Sequence, residues 1–207
     1  MVFEPFGVDK GMIRIIGPRD SRPEGVIDTT SRSRDWSRGL SPFLVGPVPL
    51  YPGAGPPFSQ TMEGAWQFSK VYPEHVGSNG EPTEQYWKWA RAGWHDSRAH
   101  RYPMGKGRVP KFSWWDGQPL GYIEARKAIY VPLYARAVAE TQAFGMLLAL
   151  YREEGEATLW DFDGYDHHAL GMSYKDVVND PKRKMGHAFV LGYLLEQLNG
   201  EGHDGQG

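Results

Sequence analysis

The 207-residue chain contains no cysteine. That single absence excludes a thiol nucleophile, cysteine-ligated zinc and a disulfide scaffold, and it fits a reducing setting. Neither sign of charge is in excess: 23 Lys and Arg face 25 Asp and Glu, for a formal net charge of −2. So balanced a chain has no global attraction to nucleic acid or to an anionic membrane, and any such contact must come from a local patch. No apolar run approaches the roughly 20 residues that span a bilayer. The N-terminus also lacks the basic region, apolar stretch and small-residue cleavage site of a signal peptide. These absences predict a soluble, cytoplasmic protein with no membrane partner.

Aromatic residues are plentiful, with 8 Trp, 11 Tyr and 9 Phe, so a core or a binding cleft rich in amphipathic rings is expected. A chain of this length is most simply one domain. The patterning predicts a mainly α fold with a few short β-strands (α+β). It divides into an N-terminal extension (1–39) with a short strand near Met12–Ile16, a compact domain (40–199) and a disordered tail (200–207). Residues 17–38, rich in Arg, Asp, Ser and Pro, read as a mobile surface connection. Residues 40–50 read as an extended segment broken by Pro42, Pro47 and Pro49. Helices are expected over 61–70, 84–94, 121–151 and 186–198, the third kinked or split at Pro132. Leu133, Ala137, Val138, Phe144, Leu147 and Tyr151 keep helical register and predict one buried side. Residues 156–161 read as a short strand.

Two segments carry candidate chemistry. In residues 61–70, Glu63, Gln67 and Lys70 fall at i, i+4 and i+7 on one helix face, behind Thr61 as a possible N-cap. An ordinary solvated helix stabilised by its dipole shows the same pattern. The second segment is Trp160-Asp161-Phe162-Asp163-Gly164-Tyr165-Asp166-His167-His168. Three carboxylates among aromatic rings would have raised pKa values through desolvation and mutual repulsion, which suits acid–base work; an Asp/Gly turn anchored by aromatics is the equal alternative. The Asp and His spacing matches neither an EF-hand nor an HExxH helix, so neither a metal nor a cofactor is expected. The basic loop over 101–111 is the best phosphate candidate, since Gly105 lets backbone approach an anion that Lys106 and Arg108 can neutralise. Pro181-Lys182-Arg183-Lys184 could add charge near the last helix or merely keep that end soluble.

Taken in order, these segments resemble the NADAR (YbiA-like) family. Its T-x-E-x-x-x-Q-x-x-K helix motif is matched by Thr61, Glu63, Gln67 and Lys70, and its aromatic upstream segment by Ser41-Pro42-Phe43. The loop Met104-Gly105-Lys106-Gly107-Arg108 is similar to its small G-R or G-K loop. Trp160 to Gly164 and Leu191-Gly192-Tyr193-Leu194-Leu195 look like its C-terminal motifs. Pro42 in place of Asn, apparent insertions around 76–94 and 169–181, and an extra residue before Gly164 mark a divergent member.

The resemblance implies an N-glycosidase that cleaves a ribose–nitrogen bond through an oxocarbenium-like transition state. Its substrate would be an ADP-ribosylated or ribosylamino nucleobase, either a nucleotide or ADP-ribosylated nucleic acid. It implies Glu63, Asp163 and Lys70 as catalytic residues. Gln67, Trp160, Gly164, Phe43, Gly105, Lys106 and Arg108 would bind substrate, with Trp160 as a stacking wall. A non-catalytic nucleotide or ADP-ribose binding module is the competing expectation. A partner surface of exposed aromatics is the third.

Overall fold

Alternating burial along Met12–Ile16 makes this segment the first strand, β1. The computed structural model describes residues 12–200. After β1 come β2 (Ile27–Asp28), a 3-10 turn over Trp36–Leu40, and the antiparallel pair β3 (Val48–Pro49) and β4 (Phe58–Ser59). Helix α1 (Met62–Phe68) runs almost directly into β5 (Lys70–Val71). Helix α2 (Glu84–His95) leads to the hairpin of β6 (Phe112–Trp115) and β7 (Gln118–Leu120). Then follow α3 (Tyr122–Ala125), a π-helical turn (Arg126–Tyr130), α4 (Val131–Ala139) and α5 (Gln142–Glu154). Strand β8 (Glu156–Trp160) and helices α6 (Tyr174–Asn179) and α7 (His187–Gly200) complete a single α+β domain. Among the described residues no helix is long and apolar enough to cross a membrane.

Strands β1, β8 and β2 form a parallel sheet in that order, with Ile15 opposite Leu159 and Asp28 opposite Trp160. Because the three run the same way, the segments leaving them emerge together at one edge. There the Thr29 N–H donates to the Trp160 carbonyl (3.1 Å) and the Asp161 N–H to the Ile16 carbonyl (3.0 Å). Parallel sheets take ligands at this edge.

Two apolar cores flank α1. The larger joins Ile13 and Ile15 of β1 and Leu159 of β8 to Tyr134, Leu147 and Leu191 of α4, α5 and α7. The smaller is aromatic and includes Tyr51, Tyr86 and Trp94. Helix α1 serves both, placing Met62 and Ala65 in the first and Phe68 in the second. Its start is set by Thr61, whose hydroxyl accepts from the Gly64 N–H (2.9 Å). Where α1 meets α2, Gly93 leaves room for the Phe68 ring; a Cβ there would lie 2.1 Å from ring carbons.

The structure corrects several expectations. Residues 12–39 supply two of the three parallel strands, so this stretch belongs to the domain. The polar run within it is anchored: Thr29, Thr30 and Ser37 are buried, and the Ser37 hydroxyl donates to the Asp28 carbonyl (2.6 Å). In residues 40–50 only Val48–Pro49 is strand. The long helix breaks at Thr141, not Pro132. The π-helical turn immediately before α4 takes up the register change, and Pro132 sits in α4's first turn, where its missing N–H costs little. Thr141 is extended and accepts from the Phe144 N–H (3.1 Å), which starts α5 afresh. Helix α6 lies in the stretch expected to be an insertion, and its signal was the capping box of Ser173 and Asp176. Residues 1–11 and the tail 201–207 lie outside the described residues.

Two glycine substitutions test this packing in opposite directions. Gly93→Ala is expected to lower unfolding free energy by about 1–3 kcal/mol through overpacking against Phe68. Gly145→Ala, exposed on α5 with open space around it, is expected to raise it by about 0.5–1 kcal/mol. Urea denaturation of both variants measures the two signs.

Candidate functional site

A cavity of about 400 Å³ opens at the carboxyl edge of the parallel sheet. One wall comes from the segments that leave β2 and β8, with Thr30 and Arg32 beside Asp161, Phe162 and Asp163. Helix α1 and the start of β5 supply Glu63, Trp66, Gln67 and Lys70. The π-helical turn adds Arg126 and Tyr130, and the start of α7 adds His187. The α1 helix can present a polar stripe inward because its other two faces are already committed to the two cores.

That stripe is a hydrogen-bonded chain. Lys70 Nζ donates to Gln67 Oε1 (2.8 Å), and Gln67 Nε2 donates to Glu63 Oε1 (2.9 Å). Glu63 and Gln67 are buried, not solvated. Burial raises the Glu63 pKa above the ordinary carboxylate range, although Gln67 and the positive charge of Lys70 oppose it. Burial lowers Lys70 to about 8, with the Glu63 charge opposing. The Lys70 ammonium also lies 4.8 Å from the centre of the Trp66 ring, and Trp66 packs edge-on against Tyr130 (5.2 Å between centroids).

Asp161 and His187 form a second buried unit. Asp161 Oδ2 lies 2.9 Å from His187 Nδ1, and His187 Nε2 bonds the Thr29 carbonyl (2.8 Å). A carboxylate and a carbonyl only accept, so the imidazole carries both protons and is cationic. Burial works against the charge on both groups, yet their attraction wins: Asp161 falls to about 2 and His187 rises above its ordinary value. Asp161 also accepts from the Asp163 and Ala188 N–H groups (3.0 and 3.1 Å). It thereby caps the start of α7 with negative charge. Gly186 is required there, because a Cβ would sit 2.2 Å from Asp161 Oδ2.

Arg126 holds the connection between α6 and α7. Its fully buried guanidinium donates to the carbonyls of Val177, Val178 and Asp180 (3.3, 3.3 and 2.8 Å), to the Arg183 carbonyl and to the Tyr122 hydroxyl (2.8 Å). These bonds satisfy the last carbonyls of α6 and fix the segment that delivers Lys184 and His187.

The structure brings Glu63, Gln67, Lys70, Asp163 and Phe43 to one cavity. The remaining expected residues lie elsewhere. Trp160 is buried in β8 with the Arg22 guanidinium 3.6 Å from its ring centre; Phe162 is the ring on the cavity instead. Gly164 backs onto β1, where a Cβ would be 2.3 Å from the Ile16 carbonyl oxygen. Gly105, Lys106 and Arg108 belong to a turn outside the cavity, and Arg108 pairs with Glu74. From that loop only Arg101 and Tyr102 reach the wall.

The expected rise of the acidic-loop pKa values by mutual repulsion is also corrected. Asp161 is lowered by His187. At Asp166, burial is outweighed by the Ala169 N–H and by Arg14 at 3.0 Å. Glu63 is the cavity carboxylate pushed upward. Among the described residues no cluster of three acidic or histidine side chains could hold a metal ion. The residues not singled out from sequence are His187, Arg126, Tyr130, Arg32 and Arg101. His187 and Arg126 sit in apolar helical patterns and lack any local motif.

The buried ion pair predicts a stability window. Asp161 is depressed, so its contribution is present above the unfolded value near 4 and is lost as pH falls toward about 2. His187 is raised, so its contribution is complete below the unfolded value near 6.5 and is lost as pH rises through the higher folded value. The melting temperature of wild type is therefore expected to fall on both sides of this range. His187→Ala should cost about 3–5 kcal/mol near pH 6 by stranding Asp161, and should flatten the alkaline decline. An unchanged alkaline limb in that variant would count against the pair.

No curated protein and no solved structure matches the chain. The resemblance to the NADAR family is overturned: the family model that matches, over residues 19–191, is a different one, and nothing indicates NADAR. The polar motif behind that resemblance is one that any N-capped helix with a polar face can generate. Two of its other supports, the glycine loop and Trp160, lie away from the cavity. The chain belongs to a family of unknown function, DUF6939.

Proposed function

We propose that the cavity hydrolyses the ribose–nitrogen bond of a nucleotide-type substrate. The observation that carries this reading is the chain from Lys70 through Gln67 to Glu63, in which a carboxyl with a raised pKa and an ammonium with a lowered one face a single aromatic-walled cavity. Cleavage of an N-ribosyl bond needs negative charge beside an oxocarbenium-like carbon, a base for water and a proton for the departing nitrogen. Glu63 supplies the first two. A carboxylate whose pKa is raised is also a stronger base. Lys70, at about 8, still holds its proton at neutral pH and gives it up readily. Water loses its proton to Glu63 as the new carbon–oxygen bond forms. The carbon–nitrogen bond breaks, and the nitrogen takes the proton of Lys70. Both groups then exchange protons with solvent.

The rings of Trp66 and Tyr130 line the cavity and offer surfaces for a planar base. A cavity of about 400 Å³ is within the usual size range for a small ligand. The specific ADP-ribosylated and ribosylamino substrates came from the NADAR resemblance and fall with it, so the substrate is defined here by its chemistry. A nucleotide substrate sets this activity in the cytoplasm.

Purified protein incubated with a panel of purine, pyrimidine and pyridine nucleotides, with base release followed by mass spectrometry, tests the reading. Glu63→Gln is expected to lose at least about a hundredfold in rate while keeping a cooperative melt. Wild-type kcat/KM should fall as pH rises above about 8, when Lys70 deprotonates, and Lys70→Arg should move that limb upward. Unchanged nucleotides that nonetheless raise the melting temperature would identify a binding module instead.

A further inference from the structure

The cavity's charge runs against that of the whole chain. Net charge is −2 over the sequence, yet the lining holds Arg32, Lys70, Arg101, Arg126 and Lys184 against Glu63, Asp161 and Asp163. The inner cations are already committed, Lys70 to Gln67 and Arg126 to carbonyls. The outer three are held more loosely. Arg32 makes no ion pair with any described residue, and it is exposed, with its guanidinium 5.1 Å from the Phe162 ring centre. Arg101 lies 5.6 Å from the same ring and touches Asp163 through one nitrogen at 3.3 Å. Lys184, with 69% of its side chain exposed, reaches Asp163 only at 3.7 Å. Two guanidiniums thus meet at one ring, and one of them, Arg101, shares a single, partly exposed carboxylate with Lys184.

From this placement we infer that Arg32, Arg101 and Lys184 form a phosphate subsite at the cavity mouth, built for a di- or triphosphate-sized anion. Asp163 holds the two cations of the far wall in place until the anion displaces it. Two guanidiniums can each grip phosphate oxygens in a bidentate fashion, while Lys184 adds a movable point charge. Both guanidiniums lie within cation–π range of the Phe162 ring, which helps to keep them at the mouth. A phosphate held here leaves an attached ribose to extend inward toward Glu63. The site is distinct from the glycine-containing loop over 105–108, which lies outside the cavity and whose Arg108 is paired with Glu74. The inference rests on the nucleotide reading for the ribose, but anion binding can be measured without turnover.

Calorimetric and thermal-shift titrations at constant ionic strength, with inorganic pyrophosphate, ADP and adenosine as probes, test it. Pyrophosphate and ADP are expected to bind and to raise the melting temperature in wild type and in Glu63→Gln alike, with adenosine much weaker. Arg32→Gln and Arg101→Gln should each weaken both anions about tenfold or more, while the surface control Arg136→Gln should not. Failure of ADP and pyrophosphate to bind, or unchanged affinity in the Arg32→Gln/Arg101→Gln double variant with an intact melt, overturns the subsite. Binding of pyrophosphate but not of ADP would place a free anion here and overturn the nucleotide geometry. Loss of base release in Glu63→Gln with anion affinity retained separates this inference from the catalytic one.

Discussion

Everything at the cavity depends on the double commitment of helix α1. Met62 and Ala65 are sealed into the larger core and Phe68 into the smaller one. With apolar groups on those two sides, the remaining face has to hold whatever polar residues the seven-residue helix carries. That face looks into a cavity, so Glu63 and Gln67 are desolvated and can be tolerated only if bonded to one another and to Lys70. The shifts of Glu63 and Lys70 in opposite directions from their usual values follow directly from this desolvation. Chemistry here is a consequence of packing.

The opposite wall is organised by a second constraint, the need to bring α7 against the sheet edge. Asp161 leaves β8 and meets the first turn of α7, where the Ala188 N–H and His187 donate to its buried carboxylate. Arg126 does the equivalent for α6, gathering carbonyls that would otherwise be orphaned at the helix end. Each device neutralises backbone or side-chain charge locally. What is left over at the mouth is the excess of positive charge on Arg32, Arg101 and Lys184. The acidic whole chain and the basic cavity are compatible because Asp and Glu outnumber Lys and Arg by 25 to 23 over the chain, while only Glu63, Asp161 and Asp163 among those carboxylates line the cavity.

Membership of a family without an assigned function leaves the site to be read from its geometry. The short-motif likeness to NADAR shows how a correct local pattern can suggest the wrong kinship. Thr61 does cap a helix and Glu63 and Gln67 do share its polar face, as their spacing demands, but the helix ends at Phe68 and Lys70 joins them from β5. The same demand arises in any protein that must turn one helical face inward, so the pattern carries structural information without lineage.

Local chemistry was legible in the residue order. Thr61 as a cap, the i, i+4 pair of Glu63 and Gln67, strand β8, helix α7 and the buried side of α5 all follow from periodicity and capping, which act between near neighbours; Lys70 reaches the same stripe from β5, past the helix end. The break at Thr141 in place of Pro132 was not, because a π-helical turn absorbed the proline. Nor was the integration of residues 12–39, since strand pairing between Ile15 and Leu159 spans most of the chain and leaves no local mark. The largest gap lies in the choice of carboxylate. Asp161, Asp163 and Asp166 look alike in sequence. Folding gives Asp161 a buried imidazolium, Asp163 two partly exposed cations at the cavity mouth, and Asp166 the exposed Arg14 of β1. Residue order can state which groups are present and which helix face they share; the partners that set their charge come from remote segments, and tertiary contact alone brings those together.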